Sequence, residues 1–354
     1  MRELVLAIDP TASATRLGLF RGECAVAAHV ARFLREPQVS ERPSDQVAPR
    51  VRATRAFLDG AGVEGRALAA VAASGGLVKP VESGTYLVDD ALLRDCERSE
   101  RGHHPANVGA LIARAIADDH GCPAFVVDPL SVDELDPVAR FSGMAGVQRQ
   151  SIGHALGMRA VARRHALAVE RPLEELNLIV VRLGAAACLS AQRGGRLVDV
   201  VNPAAEGPFS GEQAGGLPTA AVASMCFTPG ATEEGVRLRL AESGGLRSHL
   251  GTRDVRDVEQ QAERDDARAM VVLDAMAYQI AKSIGALAAA LGGEVDAVLL
   301  SGSAADATAL VNGVCRRVEW IAPVFVYPGD DDLLALARGA LGVIRGEEQG
   351  RRYG

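Results

Sequence analysis

The sequence predicts an α/β protein made of two similar halves, and three observations support that prediction. Short apolar segments typical of buried strands alternate with longer helical patterns, as in α/β folds with mostly parallel sheets. A unit of strand, small-residue turn and return strand occurs near residues 4–20 and again near residues 178–201. The chain of 354 residues also exceeds the length that one compact core usually holds. We therefore expect two domains, each presenting a small-residue turn to a shared cleft.

The composition is that of a folded protein with an acidic surface. Hydrophobic residues make up 48% of the chain and charged residues 23%, which fits neither a disordered nor a fibrous class. Only 4% of the residues are aromatic, so the core must be built from Ala, Val and Leu, as is usual for buried parallel strands. The net charge of −7 argues against sequence-independent binding of nucleic acid, which needs a basic surface.

The expected location is the cytoplasm, in a reducing compartment. The six cysteines are scattered, with no close pair that could hold zinc or form a redox dithiol. The first apolar run is short and lies between the acidic residues Glu3 and Asp9, which predicts that it is not a secretory leader. The longest later apolar run, residues 284–291, is too short to cross a bilayer. We therefore expect no membrane association.

The first half begins with a hairpin and continues with alternating elements. Pro37, Pro43 and Pro49 predict a loop over residues 33–50, because proline interrupts regular backbone hydrogen bonding. Arg171-Pro172 is expected to close this half. The predicted strands are 4–9, 17–20, one from 25, 67–73 and 123–128, and the predicted helices are 51–60, 91–98, 108–119 and 152–170.

The second half begins with the repeated strand unit and continues into a polar, glycine-rich loop at residues 202–218. A second loop is predicted at residues 251–254. The predicted strands are 178–182, 188–192, 196–201, 295–300 and 323–327, and the predicted helices are 219–226, 233–243, 265–291 and 332–344.

Four strand ends carry residues suited to ligand binding: 9–15, 184–188, 301–305 and Asp128-Pro129. In open α/β sheets, ligands bind at the carboxyl ends of strands, where loops and helix N-termini present free backbone N–H groups. Small residues there let the backbone approach a phosphate closely. Each turn alone is explained as well by an ordinary tight turn, but three together at strand ends favour a phosphate site.

Seven segments carry a resemblance to a known family. Together they extend over nearly the whole chain. The segments are HHPANVGALIARAI (103–116), FVVDPLSVDEL (125–135), GHALGMRAVARR (153–164), EGPFSGEQAGGLP (206–218), LGTRDVRDVE (250–259), DAMAYQIAKSIGALAA (274–289) and IAPVFVYPGDDDLLALARGAL (321–341). In these segments the chain resembles the butyrate kinases, relatives of acetate and propionate kinases in the larger group of sugar kinases, actin and chaperone ATPases.

The resemblance implies a fold, a reaction and an assembly. It implies two actin-like (ribonuclease H-like) domains, at residues 1–172 with the last helix, 332–354, and at residues 173–331. The implied reaction transfers the γ-phosphate of ATP, with Mg²⁺, to a short aliphatic carboxylate and yields an acyl phosphate and ADP. A homodimer or higher oligomer is also implied. The apolar helix at 271–291 could form the interface, although burial inside the monomer explains it equally well.

Both small-residue turns depart from the family pattern. The first turn, Asn-Pro-Gly-Ser-x-Ser-x-Lys in the family, runs from Asp9 to Arg16 here and lacks the Asn and the Gly. The second turn, His-x-Gly-Gly-Gly in the family, begins at Arg182 and replaces two glycines by alanine. The lost His is the one that the resemblance places at the transferring phosphoryl group. The added methyl groups are expected to crowd a phosphate.

Two arginines that the family uses for substrate carboxylate and phosphoryl oxygens are also replaced. Ser74 stands at one position and Gln213 at the other. A lost charge-assisted donor in a desolvated site costs roughly 3 kcal/mol of transition-state stabilisation, or about a hundredfold in rate. The combined losses predict very little activity.

The resemblance assigns roles to the remaining candidates, by matching positions only. Asp332 stands where a Glu near the metal is usual, and Asp9 resembles the Asp of sugar kinases that works through Mg²⁺ and water. The assigned residues are Asp128, Arg182, Asp9 and Asp332 for catalysis, with Asp128 and Asp9 on Mg²⁺; Ser13, Thr15, Arg16, Gly184 and Ala185 for phosphate; Asp254, Arg256, Gly302 and Ser303 for adenosine; and His104, Asn107, Ser74 and Gln213 for the substrate.

Several of these residues have structural alternatives. Asp128 and His104 could each cap a helix. Arg182 could clamp phosphate in place of the lost His or form an ion pair with Asp9. Asp9 could hold a metal or could be neutralised by Arg16 and Arg182.

Two functions remain open from the sequence. The chain could be a working carboxylate kinase that uses Arg182 and Arg16 as new phosphate clamps. It could instead be a catalytically silent member kept as a binding or assembly subunit, beside an active paralogue. The strand and helix patterns are intact, which favours a folded protein with selectively altered chemistry.

Overall fold

The computed structural model of the chain describes residues 3–33, 43–184, 186–203 and 205–354. It consists of two compact units. Unit 1 comprises Met1–Asp133 together with Asp331–Gly354, and unit 2 comprises Glu134–Asp330. The last helix of the chain therefore lies in unit 1.

Each unit contains one β-sheet. The strands of the chain are β1 (Leu4–Pro10), β2 (Ala14–Arg21), β3 (Cys24–Arg32), β4 (Ala70–Ser74), β5 (Thr85–Leu87), β6 (Ala124–Val127), β7 (Asn177–Leu183), β8 (Ala187–Arg193), β9 (Arg196–Val201), β10 (Ala297–Gly302) and β11 (Val324–Pro328).

Helices pack against these sheets. They are α1 (Pro43–Gly60), α2 (Asp90–Arg98), α3 (Gly109–His120), α4 (Ala155–Ala168), α5 (Thr219–Cys226), α6 (Glu233–Glu242), α7 (Gly245–Leu250), α8 (Val255–Glu263), α9 (Ala267–Ala290), α10 (Thr308–Val318) and α11 (Asp332–Arg345), with short 3₁₀ helices at Pro105–Val108, Pro137–Arg140 and Leu173–Glu175.

The two sheets repeat one topology. Unit 1 has the strand order β3-β2-β1-β4-β6-β5, and unit 2 has the order β11-β10-β7-β8-β9. In both units an antiparallel three-strand meander is followed by two parallel strands, and in unit 1 the antiparallel strand β5 closes the sheet. The predicted similarity of the halves is confirmed. The expectation of mostly parallel sheets is wrong, because each meander contributes two antiparallel pairings.

Each unit has its own apolar core. In unit 1 the core lies between the sheet and α1 and α3, and it includes Leu6, Ile8 and Ile112. In unit 2 the long helix α9 packs against the sheet, with Met276 and Ile280 fully buried. Helix α9 is long and apolar enough to cross a membrane by length and composition alone. Its buried face in the core of unit 2 accounts for that composition.

The boundary between the units was predicted too late. It falls between Asp133 and Glu134 rather than after residue 172. The Glu134 carboxylate accepts a hydrogen bond from the Leu197 N–H at 3.0 Å, and the Asp136 N–H donates to the Val198 carbonyl at 2.9 Å. The segment that follows Asp133 therefore bonds to β9 of unit 2 before α4 begins. Helix α4 in turn packs against β7 and β10 of unit 2.

Other element predictions also need correction. Helix α1 begins at Pro43 and contains Pro49, so only part of the predicted loop remains; Pro37 lies outside the described residues. Pro43 lies in the first turn of the helix, where its missing N–H would have no partner, whereas Pro49 lies further inside the helix. Strand β5 and helices α7, α8 and α10 were not predicted. All six cysteines are free, as expected, and Cys24 and Cys226 are exposed.

A glycine-to-alanine pair tests the packing of α3 on the sheet. A methyl group at Gly109 would overlap the Ser74 carbonyl oxygen, so Gly109→Ala is expected to destabilise the protein by about 1–3 kcal/mol. Gly285, in α9, has open space around its Cβ position, so Gly285→Ala is expected to stabilise by about 0.5–1 kcal/mol. Thermal unfolding monitored by circular dichroism measures both. An unchanged melting temperature for Gly109→Ala would contradict the packing described.

Candidate functional site

Three of the predicted site residues in unit 1 meet at the carboxyl edge of its sheet. Ile8 of β1 lies opposite Ala73 of β4, and Ser74 of β4 lies opposite Val127 of β6. The residues at these three neighbouring strand ends are therefore Asp9, Ser74 and Asp128. The parallel arrangement of β1, β4 and β6 brings them together from distant positions in the sequence, as the sequence analysis expected.

A single arginine joins two acids at this edge. The Arg16 Nε donates to Asp9 Oδ2 at 2.7 Å, and the Arg16 Nη2 donates to Asp332 Oδ2 at 2.9 Å. Asp332 is the first residue of α11 and is only 1% exposed. Phosphate, metal and catalytic roles were assigned to these residues separately, but the structure joins them in one ion-pair cluster. Of the alternative in which Arg16 and Arg182 together neutralise Asp9, the structure shows the Arg16 contact, whereas Arg182 pairs with Asp330.

The turn before Arg16 is held by Arg50, which the sequence analysis missed. Its guanidinium is buried and donates to the carbonyl oxygens of Ala14 at 2.7 Å and of Thr11 at 2.9 Å. Burial lowers the pKa of Arg50 to about 10, so the side chain stays charged at neutral pH. Arg50 fell within the predicted loop; its helical spacing with the buried Thr54 and Leu58 was the signal that could have found it.

Arg50 also bonds to Thr15, a residue near the first turn that the sequence analysis assigned to phosphate. The Thr15 hydroxyl is buried and accepts a hydrogen bond from Arg50 Nη1 at 2.8 Å. The Thr15 hydroxyl is therefore bonded within the protein, and its assignment to phosphate stays a prediction. Ser13 lies exposed at the tip of the turn, where its hydroxyl remains suited to phosphate.

Asp128 fixes a loop rather than capping a helix. Its backbone has a positive φ of 39°, and its side chain is buried. The Gly84 N–H donates to Asp128 Oδ1 at 2.7 Å, and the Asp128 N–H donates to the Gly84 carbonyl at 2.9 Å. Asp128 was assigned to Mg²⁺, but its Oδ1 atom holds this loop by accepting the hydrogen bond from Gly84.

Two of the four residues assigned to the substrate, His104 and Asn107, organise the segment before α3. Asn107 is fully buried; its Oδ1 accepts from the Leu77 N–H, and its Nδ2 donates to Ser99 Oγ and to the Gly102 carbonyl. The amide of Asn107 is therefore bonded within the scaffold, and its assignment to the substrate stays a prediction. The His104 Nδ1 accepts from the Ala106 N–H at 3.1 Å, so the capping alternative for His104 is confirmed.

The positions of the two replaced arginines carry buried polar atoms. Among the residues that the structure describes, the Ser74 hydroxyl and the Gln213 Oε1 are buried without a hydrogen-bond partner. Gln213 belongs to a tight loop of unit 2, in which its N–H donates to Ser210 Oγ and its carbonyl accepts from the Ser210 N–H. Neither side chain carries the positive charge that the family uses there.

In unit 2, Arg182 forms an ion pair with Asp330, the last residue of that unit. Arg182 lies on β7 opposite Ser301 of β10, at the carboxyl edge of the second sheet. Its Nη2 donates to Asp330 Oδ1 at 2.9 Å, and both side chains are largely buried. The sequence analysis did not single out Asp330 as a partner. Arg182 is therefore engaged by a carboxylate rather than held open for phosphate.

The turn after β10 requires its glycine. Gly302 has a φ of +95°, and a Cβ there would overlap the Leu183 carbonyl oxygen, so only glycine fits. Gly184 lies close to the Ser303 side chain, which places the two turns of unit 2 side by side. Ala185 lies outside the described residues.

The residues assigned to adenosine cluster in unit 2. Arg256 Nη2 donates to the Ser303 carbonyl at 2.7 Å and to Asp306 Oδ2 at 2.8 Å. Asp254 caps α8 by accepting from the Arg256 N–H at 2.9 Å. A groove of about 810 Å³ between α8, α9 and α10 begins one turn further along, at Glu259. Its volume is typical of small-molecule sites.

The residues at the edge of the first sheet do not fit Mg²⁺. Mg²⁺ requires several oxygen ligands in near-octahedral geometry. Here the Arg16 guanidinium already bridges the carboxylates of Asp9 and Asp332. Within the described ranges, no group of three or more His, Cys, Asp or Glu side chains is arranged to hold a metal ion.

Comparison with known proteins identifies the class and then the family. The chain resembles the crystal structure of acetate kinase from Porphyromonas gingivalis, with a TM-score of 0.78 and 17% identity over 96% of this chain and 99% of that one. It also resembles a propionate kinase from Francisella tularensis, with a TM-score of 0.78 and 14% identity over 94% of this chain and 98% of that one. A third similar structure is acetate kinase from Entamoeba histolytica, with a TM-score of 0.75 and 14% identity over 95% of this chain and 98% of that one. The fold is therefore the actin-like ATPase fold. A model of the acetokinase family matches residues 141–327. The chain belongs to the acetokinase family.

The role of Arg50 can be tested against a second arginine on the same helix. Arg50→Met removes the guanidinium that bonds to the Ala14 and Thr11 carbonyls and to the Thr15 hydroxyl, and it is expected to destabilise the protein by about 2–4 kcal/mol. Arg55 forms an exposed ion pair with Asp119, so Arg55→Met is expected to cost under about 1 kcal/mol. Urea unfolding monitored by circular dichroism measures the difference. Equal destabilisation by the two substitutions would contradict the role of Arg50 in holding the first turn.

Proposed function

We propose that the chain is a butyrate-kinase-like carboxylate kinase scaffold whose own phosphoryl transfer is weak or lost. The family membership supports the scaffold of an enzyme that makes acyl phosphate from ATP and a short-chain carboxylate. The observation that carries the loss is the Arg16 bridge between Asp9 and Asp332. A guanidinium bound by two carboxylates has little capacity left to stabilise charge that develops on a migrating phosphoryl group.

The state of the other cations supports the same proposal. Arg182 is bound to Asp330, and Ser74 and Gln213 supply no charge where the family has arginine. Phosphoryl transfer depends almost entirely on positioning and on positive charge around the phosphoryl oxygens. We expect a site that lacks these groups to bind nucleotide and carboxylate but to transfer the phosphoryl group slowly or not at all.

The adenosine side retains more of what a nucleotide needs. The Arg256 cluster and the Gly302 turn keep an ordered loop next to a groove of suitable size. We therefore propose that ATP or ADP still binds to unit 2.

Restoring the family residues is expected to restore activity. The quadruple variant Asp9→Asn, Ser74→Arg, Arg182→His and Gln213→Arg is expected to gain at least about a hundredfold in rate, because each change returns a donor to the phosphoryl group. Hydroxamate formation from ATP, Mg²⁺ and butyrate, isobutyrate or longer branched acids measures the rate.

A matched control carries similar changes at exposed positions, Asp59→Asn and Ser248→Arg, and should leave the rate at the wild-type level. Turnover by the wild-type chain at about 1 s⁻¹ or faster, the normal kinase range, would contradict the loss of activity. A quadruple variant that folds but stays silent would contradict these four positions as its cause.

Exposed apolar residues in unit 2 favour an assembly role as a second candidate. Val138, Phe141, Met144 and Val147 are all largely exposed on one segment. Arg149 anchors this segment to Asp199 and Glu206, so the apolar side chains are held outward on an ordered base. A contiguous exposed apolar patch is typical of protein interfaces.

The patch predicts self-association, or association with an active paralogue. The double variant Phe141→Asp and Met144→Asp is expected to reduce the mass measured by light scattering, because charge is costly in an apolar interface. Val30→Asp, at an exposed apolar position of β3, serves as the control. A wild-type chain that is monomeric at micromolar concentration, alone and with the paralogue, would exclude this role.

A further inference from the structure

We infer that the Arg16 guanidinium takes the place of a divalent cation between Asp9 and Asp332, so that the chain binds nucleotide without Mg²⁺. The inference rests on the proposed nucleotide-binding scaffold and deepens it. It follows from the mismatch between Mg²⁺ coordination and the groups found at the edge of the first sheet.

The register of the hairpin enforces the first contact. Asp9 of β1 lies directly opposite Arg16 of β2 in the antiparallel pair. Side chains at directly opposite positions project from the same face and lie within reach of each other. The Arg16–Asp9 ion pair is therefore set by the backbone of two buried strands and does not depend on a flexible loop.

The fold also fixes the second contact. Helix α11 packs against β1, β4 and β6, and its first residue, Asp332, is almost completely buried. A buried carboxylate needs a cationic or hydrogen-bonding partner close by. Because Asp332 cannot turn out to solvent without moving the helix, Arg16 or another cation must remain beside it.

The chemistry of the guanidinium suits this position. Its planar group presents several N–H donors in a fixed fork and keeps its charge at all physiological pH values. It forms bonds of 2.7 Å to Asp9 and 2.9 Å to Asp332 and occupies the space between the two carboxylates. Mg²⁺ would have to displace this fixed cation and still find an octahedral set of oxygens.

The charge balance gives the ligand class. Two carboxylates and one guanidinium leave the cluster with a net charge of −1. Without Arg16 the same two carboxylates would carry −2, the charge that a bound divalent cation would balance. With Arg16 in place, both carboxylates already have a cationic partner, so we expect nucleotide to bind without a metal held by these acids.

Metal binding to the purified chain tests the inference directly. MnCl₂ is titrated and free Mn²⁺ is followed by electron paramagnetic resonance, and melting temperatures are measured with millimolar MgCl₂ or with EDTA. Wild type is expected to bind no Mn²⁺ beyond weak surface sites and to melt at the same temperature in both buffers. Arg16→Gln leaves the two acids without their cation and is expected to bind Mn²⁺ at least about tenfold more tightly than wild type.

Two further variants keep the test interpretable. Arg345 pairs with the exposed Glu3, so Arg345→Gln removes the same charge elsewhere and should not gain Mn²⁺ affinity. Arg16→Lys replaces the fork by a point charge and is expected to show an intermediate gain, even if Arg16→Gln does not fold. Tight Mn²⁺ binding by wild type would overturn the inference, as would a folded Arg16→Gln or Arg16→Lys variant with unchanged affinity.

Calorimetry with ADP separates this inference from the proposed function. The wild-type affinity for ADP is expected to be the same with EDTA and with MgCl₂, and a tenfold or greater gain with MgCl₂, roughly 1.4 kcal/mol, would overturn the inference. Failure of ADP to bind in either buffer would count against nucleotide binding as proposed. The Mn²⁺ titration would still decide whether Arg16 replaces the metal, since it needs neither nucleotide nor turnover.

Discussion

The contact of Arg16 with Asp9 and Asp332 is the interaction on which the chemistry of unit 1 depends. It connects the first hairpin of the chain to the last helix, two segments that are more than 300 residues apart. The strand register supplies one acid and the packing of α11 supplies the other. Because both contacts are imposed by the fold, both carboxylates have a cationic partner inside the protein before any ligand arrives.

The second unit repeats the arrangement in a different form. Its strands follow the order of the first sheet, and its strand-end arginine, Arg182, is again bound by an acid of the same unit, Asp330. Arg50 adds a third buried cation, committed to holding the first turn. An acetokinase-family scaffold that directs its cations toward its own carboxylates and carbonyls has a different electrostatic character from one that directs them toward phosphate.

Sequence patterns predicted helices and strands well where the apolar periodicity was strong, but they predicted poorly which side chains contact each other. The two repeated meanders, α4 and α9 were evident from apolar spacing, whereas the short helices α7 and α8 have few buried residues to reveal them. The unit boundary was missed because the segment after Asp133 joins β9 through hydrogen bonds to its backbone, which leave no compositional trace. Asn107 and Thr15 were assigned to ligands because a motif gives residue types, while their buried hydrogen bonds to the scaffold depend on the tertiary structure.

The most direct test of the central claim is a crystal structure of the wild-type chain grown with ADP and a high concentration of MgCl₂. The account predicts an Arg16 guanidinium within hydrogen-bonding distance of both Asp9 and Asp332, with no metal density between the two carboxylates. A hydrated Mg²⁺ ion bound by Asp9 or Asp332, with the Arg16 side chain turned away, would contradict it.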